Sequence, residues 1–205
     1  MIWGFKEIHP NTFGIVAVVF YEGMEQMGQA LFAPLLNLQL LANSSCSRSY
    51  SSMNTLFNDD LKAGHRRSMK GSALLAPLDY TFARKCLVEF QDFIKRTPDA
   101  FISVMVFEVF PFKKIISVSQ TDTAFANRGA YGNILWMMGY TKPEHDQEIR
   151  EWIRDQSKKA HEEFEKRKKA KTLKKDGVTE FGKLLLSASL DVPPRLDFEG
   201  RGPVG

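Results

Sequence analysis

Four apolar stretches, none longer than twelve residues, set the limits on what this chain can fold into. They are "GIVAVVFY" at 14–21, "RRSMKGSALLAP" at 66–77, "FISVMVFEVF" at 101–110 and the aromatic end of "TDTAFANRGAYGNILWMMGY" at 121–140. β-Branched and ring side chains pack well on a pleated surface, so each stretch reads as a strand. The first is apolar throughout, which predicts burial on both faces. A bilayer span takes about 20 apolar residues, so no membrane span is expected. With no basic leader or small-residue cleavage site, no export signal is read either.

Helical periods lie between the strands. Met24, Met27, Leu31, Leu35 and Leu38 recur at steps of three and four, with Pro34 straining that helix. Asp79 is placed to cap a second helix, whose stripe is Phe82, Cys86, Phe90, Phe93 and Ile94, ending before Pro98. Thr141-Lys142-Pro143-Glu144 reads as a capping box opening a third, with Ile149, Trp152, Ile153, Gln156, Ala160 and Phe164 toward the core. Turn formers Gly4, Pro10 and Asn11 mark an irregular start, residues 43–55 a Ser-rich loop and 58–64 a turn. The expectation is an α+β fold: a mostly antiparallel sheet with helices packed on one face, forming one domain over 1–175. Residues 176–205 have no sustained period and gain Pro, Gly and Arg, which predicts a disordered C-terminal tail.

The formal net charge of +4 raises the question of nucleic acid, and its location answers it. Residues 158–175 hold nine Lys or Arg against three Glu, a surplus of six, so the remainder carries −2. The pairs Glu162 with Lys166, Glu163 with Arg167 and Glu165 with Lys169 have the favourable four-residue helical spacing. No aromatic stacking platform accompanies them, so nucleic-acid binding is disfavoured. Sixteen Phe in 205 residues supply ample core and a surplus of apolar surface for a partner or a cavity.

Familiar reaction templates do not fit. The terminal "GRGPVG" matches G-x-G-x-x-G letter for letter, but no helix follows to carry a phosphate. There is no G-x-S-x-G, and His9, His65, His145 and His161 show no metal spacing. Cys46 and Cys86 lack C-x-x-C spacing, which leaves at most one bridge, and adjacent Asp59 and Asp60 read as turn residues. Asn43-Ser44-Ser45 fits the glycosylation sequon, a match common by chance. The candidate site residues are then Lys70, Glu108, Arg128, Tyr131 and Asn133, polar groups on or beside apolar strands. A buried carboxylate needs a partner, so Glu108 is expected to answer a cation such as Lys70 or Arg128, as a structural ion pair or as part of a site. Tyr131, Asn133 and Leu135 share a face by period two, and that face either lines a cavity or forms the wet side of the sheet.

"FEVFPFKKIISVSQTDTAFANRGAYGNILWMMGYTKPEHD", with "RRSMKGSALLAPLD" and "FGIVAVVFYEG", resembles the substrate domain of berberine-bridge-like FAD-linked oxidoreductases, especially the fungal branch. The likeness runs from about residue 12 to about 165 and rests on the order of the three motifs. It implies that Arg128 organises a loop entering the sheet that roofs the flavin, with Lys70, Glu108, Tyr131 and Asn133 as pocket candidates and no base assigned. It implies FAD as cofactor, while the family's N-terminal flavin domain has no counterpart here. The implied partners are a small-molecule substrate, a separate flavin domain, or a second copy through the exposed sheet face. Intact relatives oxidise alcohols, sugars or alkaloid-like carbons with oxygen as acceptor and are often secreted. The family's Tyr-x-Asn-Tyr and Lys-Tyr-Asp-Pro segments do not appear after Lys175, which predicts a truncated or misread frame beyond it, and an internal start at Met1. The competing expectation is a non-catalytic α+β binding or dimerisation module.

Overall fold

The computed structural model describes residues 2–56, 58, 63–109, 112–124, 128–170 and 190–192. They divide into two compact units, one of Val18–Ala63 and one of Ile2–Ala17 with the residues from Gly64 onward.

The larger unit is built on an antiparallel sheet. Ile2–His9 (β1) and Thr12–Val18 (β2) form a hairpin closed by Pro10 and Asn11, and Asn11 takes a left-handed φ of 62°, which asparagine tolerates after a turn proline. The Glu7 carboxylate accepts the Asn11 N–H at 2.5 Å and pins that turn. The segment expected to be irregular is therefore a strand. Gly4 is no turn former but a close approach, since a Cβ there would stand 2.8 Å from Val104 Cγ2. β2 is also a correction: it lies at the edge of the sheet, and Ile15 and Val16 are 62% and 47% exposed instead of buried on both faces.

Arg66–Leu74 (β3), Val104–Glu108 (β4) and Gly132–Tyr140 (β5) complete five strands in the order β2-β1-β4-β5-β3. The strand expected over 101–110 is shorter because Phe101 and Ile102 turn, while Phe110 and Pro111 lie outside the described residues. The tail expected over 176–205 also lies outside them, except that Leu190–Val192 (β6) pairs antiparallel with Arg67–Met69 on the outer edge of β3. Three residues are too few to show a period. Both β3 and β4 run antiparallel to β5, and both β5 and β6 run antiparallel to β3. Each of the crossovers β3-helix-β4 and β5-helix-β6 thus skips one strand, which gives two interleaved split βαβ units.

The two crossover helices are Tyr80–Arg96 (α2) and Asp146–Lys169 (α4). α2 starts where expected, with Asp79 Oδ1 accepting the Phe82 N–H at 2.7 Å. The start of α4 differs. Thr141 caps nothing; Pro143–His145 make a 3-10 turn, and the Asp99 carboxylate accepts the Thr141 N–H at 3.0 Å and the Lys142 N–H at 2.8 Å. The Thr141 hydroxyl itself donates to this carboxylate, 42 residues away, instead of accepting from the turn that follows it.

Residues paired across strands share a face, and the register assigns them. Trp3, Phe5, Met105, Phe107, Ile134, Trp136 and Met138 lie on the face that meets α2 and α4. Trp3 stacks on Phe107 at 4.1 Å, Phe93 stacks on Trp152 at 4.2 Å, and Phe5 meets Phe90 edge-on. Helices on one face of an antiparallel sheet is the architecture the sequence predicts.

The smaller unit holds Glu25–Leu36 (α1) and a 3-10 turn at Tyr50–Thr55. The Ser-rich stretch before that turn is irregular, and most of the turn expected at 58–64 lies outside the described residues. Phe112–Ile116 (α3), in the larger unit, is a single short turn of helix.

Candidate functional site

The face of the sheet turned away from α2 and α4 carries Lys6, Val104, Met137 and Met69 in one row, Gly4, Val106, Leu135 and Gly71 in the next, and Ile2, Glu108, Asn133 and Ala73 in the third. Its centre is apolar and half-buried. At the third row Asn133 Nδ2 donates to Glu108 Oε2 at 2.9 Å. Glu108 is therefore answered by a neutral amide on the neighbouring strand. Lys70 sits directly opposite Trp136 on the helix-covered face, with the sheet between it and Glu108.

Arg128 stands four residues before β5, and its Nη2 donates to Thr123 Oγ1 at 2.6 Å, closing the segment that leads into the strand. Tyr131 is 5% exposed and meets Phe164 edge-on at 6.2 Å. It belongs to a small second core with Ala73, Leu75 and Phe164, where the end of α4 reaches past the strand. Arg167 clamps that end by donating to the carbonyls of Leu75 at 3.0 Å and Pro77 at 2.7 Å. The i,i+4 pairs expected along α4 give way to i,i+3 contacts, Lys166 with Glu163 at 3.4 Å and Lys168 with Glu165 at 3.6 Å. Of the five candidates, Glu108 and Asn133 are joined directly, Arg128 and Tyr131 lie on the approach to the same strand, and Lys70 is apart from them.

Sequence reasoning missed two polar clusters. At the start of α4, Arg66 Nε donates to Asp146 Oδ1 at 2.6 Å and its Nη2 donates to Oδ2, while Arg150 stands 3.9 Å away. The bidentate Arg66 contact holds the Asp146 carboxyl below its usual range against the opposing effect of burial. Burial pushes the nearby Tyr140 hydroxyl up, and Ser68 lies 3.4 Å from it. Between α2 and α4, Glu89 accepts from Gln156 at 2.8 Å and from Lys159 at 3.0 Å. Both clusters join elements far apart in sequence, so no local spacing announces them.

A cleft of about 470 Å³ lies at the far end of β1 from Glu108, lined by Glu7, His9, Ile94, Lys95, Pro98 and Phe101 among others. Among the described residues no group of three His, Cys, Asp or Glu side chains is placed to hold a metal. Both cysteines are free, Cys46 exposed and Cys86 buried.

Unsatisfied N–H groups at a helix N-terminus are one common seat for a flavin pyrophosphate. Three of the described helices do not fit: Asp79 occupies the start of α2, Asp146 opens α4 and Glu25 opens α1. Each start already carries a carboxylate, which repels a phosphate. Among the described residues these three helix starts do not suit a flavin pyrophosphate. Comparison with protein-family models, with curated proteins and with solved structures finds no match. Among the described residues no helix is long and apolar enough to cross a membrane.

Proposed function

We propose that this chain is the substrate-positioning part of a flavin-linked oxidoreductase of the berberine-bridge-like kind, working against a flavin domain. The observation that carries this reading is the asymmetry of the sheet. One face is sealed by α2 and α4, while the other keeps an apolar, half-buried centre with one bonded carboxylate–amide pair, Glu108 and Asn133. The segment that bears the family resemblance, from Arg128 into β5, enters the sheet beside that pair.

A flavin held by its own domain would supply the hydride acceptor for the substrate carbon. The part of this chain is to close the cavity from the other side. Val104, Val106, Leu135 and Met137 keep water off an apolar substrate face, and Glu108 with Asn133 offers an acceptor and a donor that can orient a substrate hydroxyl. The substrate class is an alcohol, a sugar or an alkaloid-like carbon, with oxygen as final acceptor.

The test is to mix the purified chain with the isolated flavin domain of a berberine-bridge-like oxidase. The chain alone is expected to be colourless. Mixing is expected to quench flavin fluorescence and to give oxygen uptake with a panel of sugars and benzylic alcohols, and Leu135→Glu is expected to abolish both. Unchanged fluorescence with the folded wild-type chain would remove the reading. A non-catalytic association module is the second reading, favoured by the exposed apolar residues of the smaller unit.

A further inference from the structure

Residues 7–47 contain no lysine or arginine, and within them α1 and its flanks present an apolar stripe that is largely exposed. Met24, Met27, Leu31 and Leu38 are 71%, 53%, 59% and 58% exposed, and no residue of the helix is buried. Little within α1 accounts for its being helical. It has twelve residues, with Gly28 and Pro34 among them, and no side-chain bond at its N-cap. An isolated helix of about that length is marginal in water even for good helix formers, and most helices in proteins persist by packing an apolar face. The stripe therefore calls for a covering surface.

Its chemistry narrows the choice. Nucleic acid and anionic lipid are both recognised through cations, and this segment offers none. A strongly charged protein surface would meet only Glu22 and Glu25, and the latter already accepts from Gln29 at 3.0 Å. What fits is an uncharged apolar strip about 18 Å long, the length of the twelve helical residues of α1, and the stripe itself is such a surface. At on the order of 100 Å² apiece, the four stripe residues offer about half of the roughly 800 Å² that each partner brings to a standard interface. Phe20, Tyr21, Leu40 and Leu41 of the same unit, also exposed, can supply the rest.

We propose that α1 packs against α1 of a second copy of this chain, antiparallel about a two-fold axis passing Leu31. Antiparallel pairing sets the adaptable Met24 and Met27 of one copy against Leu38 and Leu35 of the other. It also separates the two Glu25 carboxylates, which parallel pairing would juxtapose. Leu31 is seven residues from each end of the stripe, so it meets its own counterpart, as a self-complementary contact requires. This contact does not use the sheet face and stands independently of the oxidoreductase reading.

The test uses the full chain in a Cys46→Ser background, which removes the exposed thiol. Sedimentation equilibrium over micromolar concentrations is expected to show a dimer, and Met27→Glu with Leu31→Glu to weaken it by about tenfold or more with unchanged circular dichroism. Under mild oxidation Leu31→Cys is expected to give a disulfide-linked dimer and Met24→Cys to remain monomeric. The proposal is overturned by a wild-type monomer at every concentration, by a dimer indifferent to the paired Glu substitutions, or by cross-linking at 24 without cross-linking at 31. A monomer that floats with phosphatidylcholine vesicles, and loses that property with the Glu substitutions, would also overturn it and make lipid the occupant.

Discussion

Cys86 shows what burial does to a reactive group. Its removal from water, with Glu89 nearby, pushes the thiol up to about 12, so almost no thiolate exists at neutral or mildly alkaline pH. A thiol reagent at mildly alkaline pH is expected to modify Cys46 at once and Cys86 only as the protein unfolds. Equal rates for the two would show that the α2–α4 contact opens freely. Asp146 is the opposite case, a carboxyl held down by the Arg66 guanidinium. Its folded pKa lies below the unfolded value of about 3.9, so the stabilisation is complete above that value and lost as pH falls through the folded one. Asp146→Asn should therefore lower the melting temperature at neutral pH, and its deficit against wild type should shrink in strong acid. A deficit that does not change with pH would assign the effect to packing alone.

The elements begin and end through partners at very different distances in the chain. Asp79 caps α2 from three residues away, which is why the start of that helix is legible in the order of residues. The turn before α4 is held by Asp99, from 42 residues away. There, hydrogen bonds from the Thr141 hydroxyl and from the Lys142 and Thr141 N–H groups outweigh partial burial and draw the Asp99 carboxyl below its usual range. Asp99→Ala is expected to cost about 0.5–2 kcal/mol, the range for a lost helix cap, while Glu144→Ala at the supposed capping box changes little. Chemical denaturation of the two variants distinguishes the long-range cap from the local one. Strand positions were read more easily than strand environments. The apolar run at 14–21 has the composition of a doubly buried strand, yet β2 is an edge strand because its place in the sheet is decided by which strands pair.

In the larger unit the core is a convergence of aromatics from separate elements. Phe90 of α2 meets Phe5 of β1 and Trp152 of α4, and is itself fully buried. Phe90→Ala is expected to lower the unfolding free energy by about 3–5 kcal/mol, measured in a denaturant titration by far-ultraviolet circular dichroism. A cost under about 1 kcal/mol would mean that the site collapses around the gap and that the three elements do not depend on one another.

The amino-acid order by itself determined the α+β class, the stripes of α2 and α4, the Asp79 cap and the parity that places Asn133 and Leu135 on one face. These are consequences of interactions within a few residues, or of a period that any local window contains. Only the tertiary structure decided that residues 2–9 are a strand, that Glu108 is answered by Asn133 while Lys70 lies across the sheet, and that Tyr131 joins a second core with Phe164. Each of these depends on register and on which face of the sheet is covered, and a charge or an aromatic ring is satisfied by whatever group the fold brings within reach.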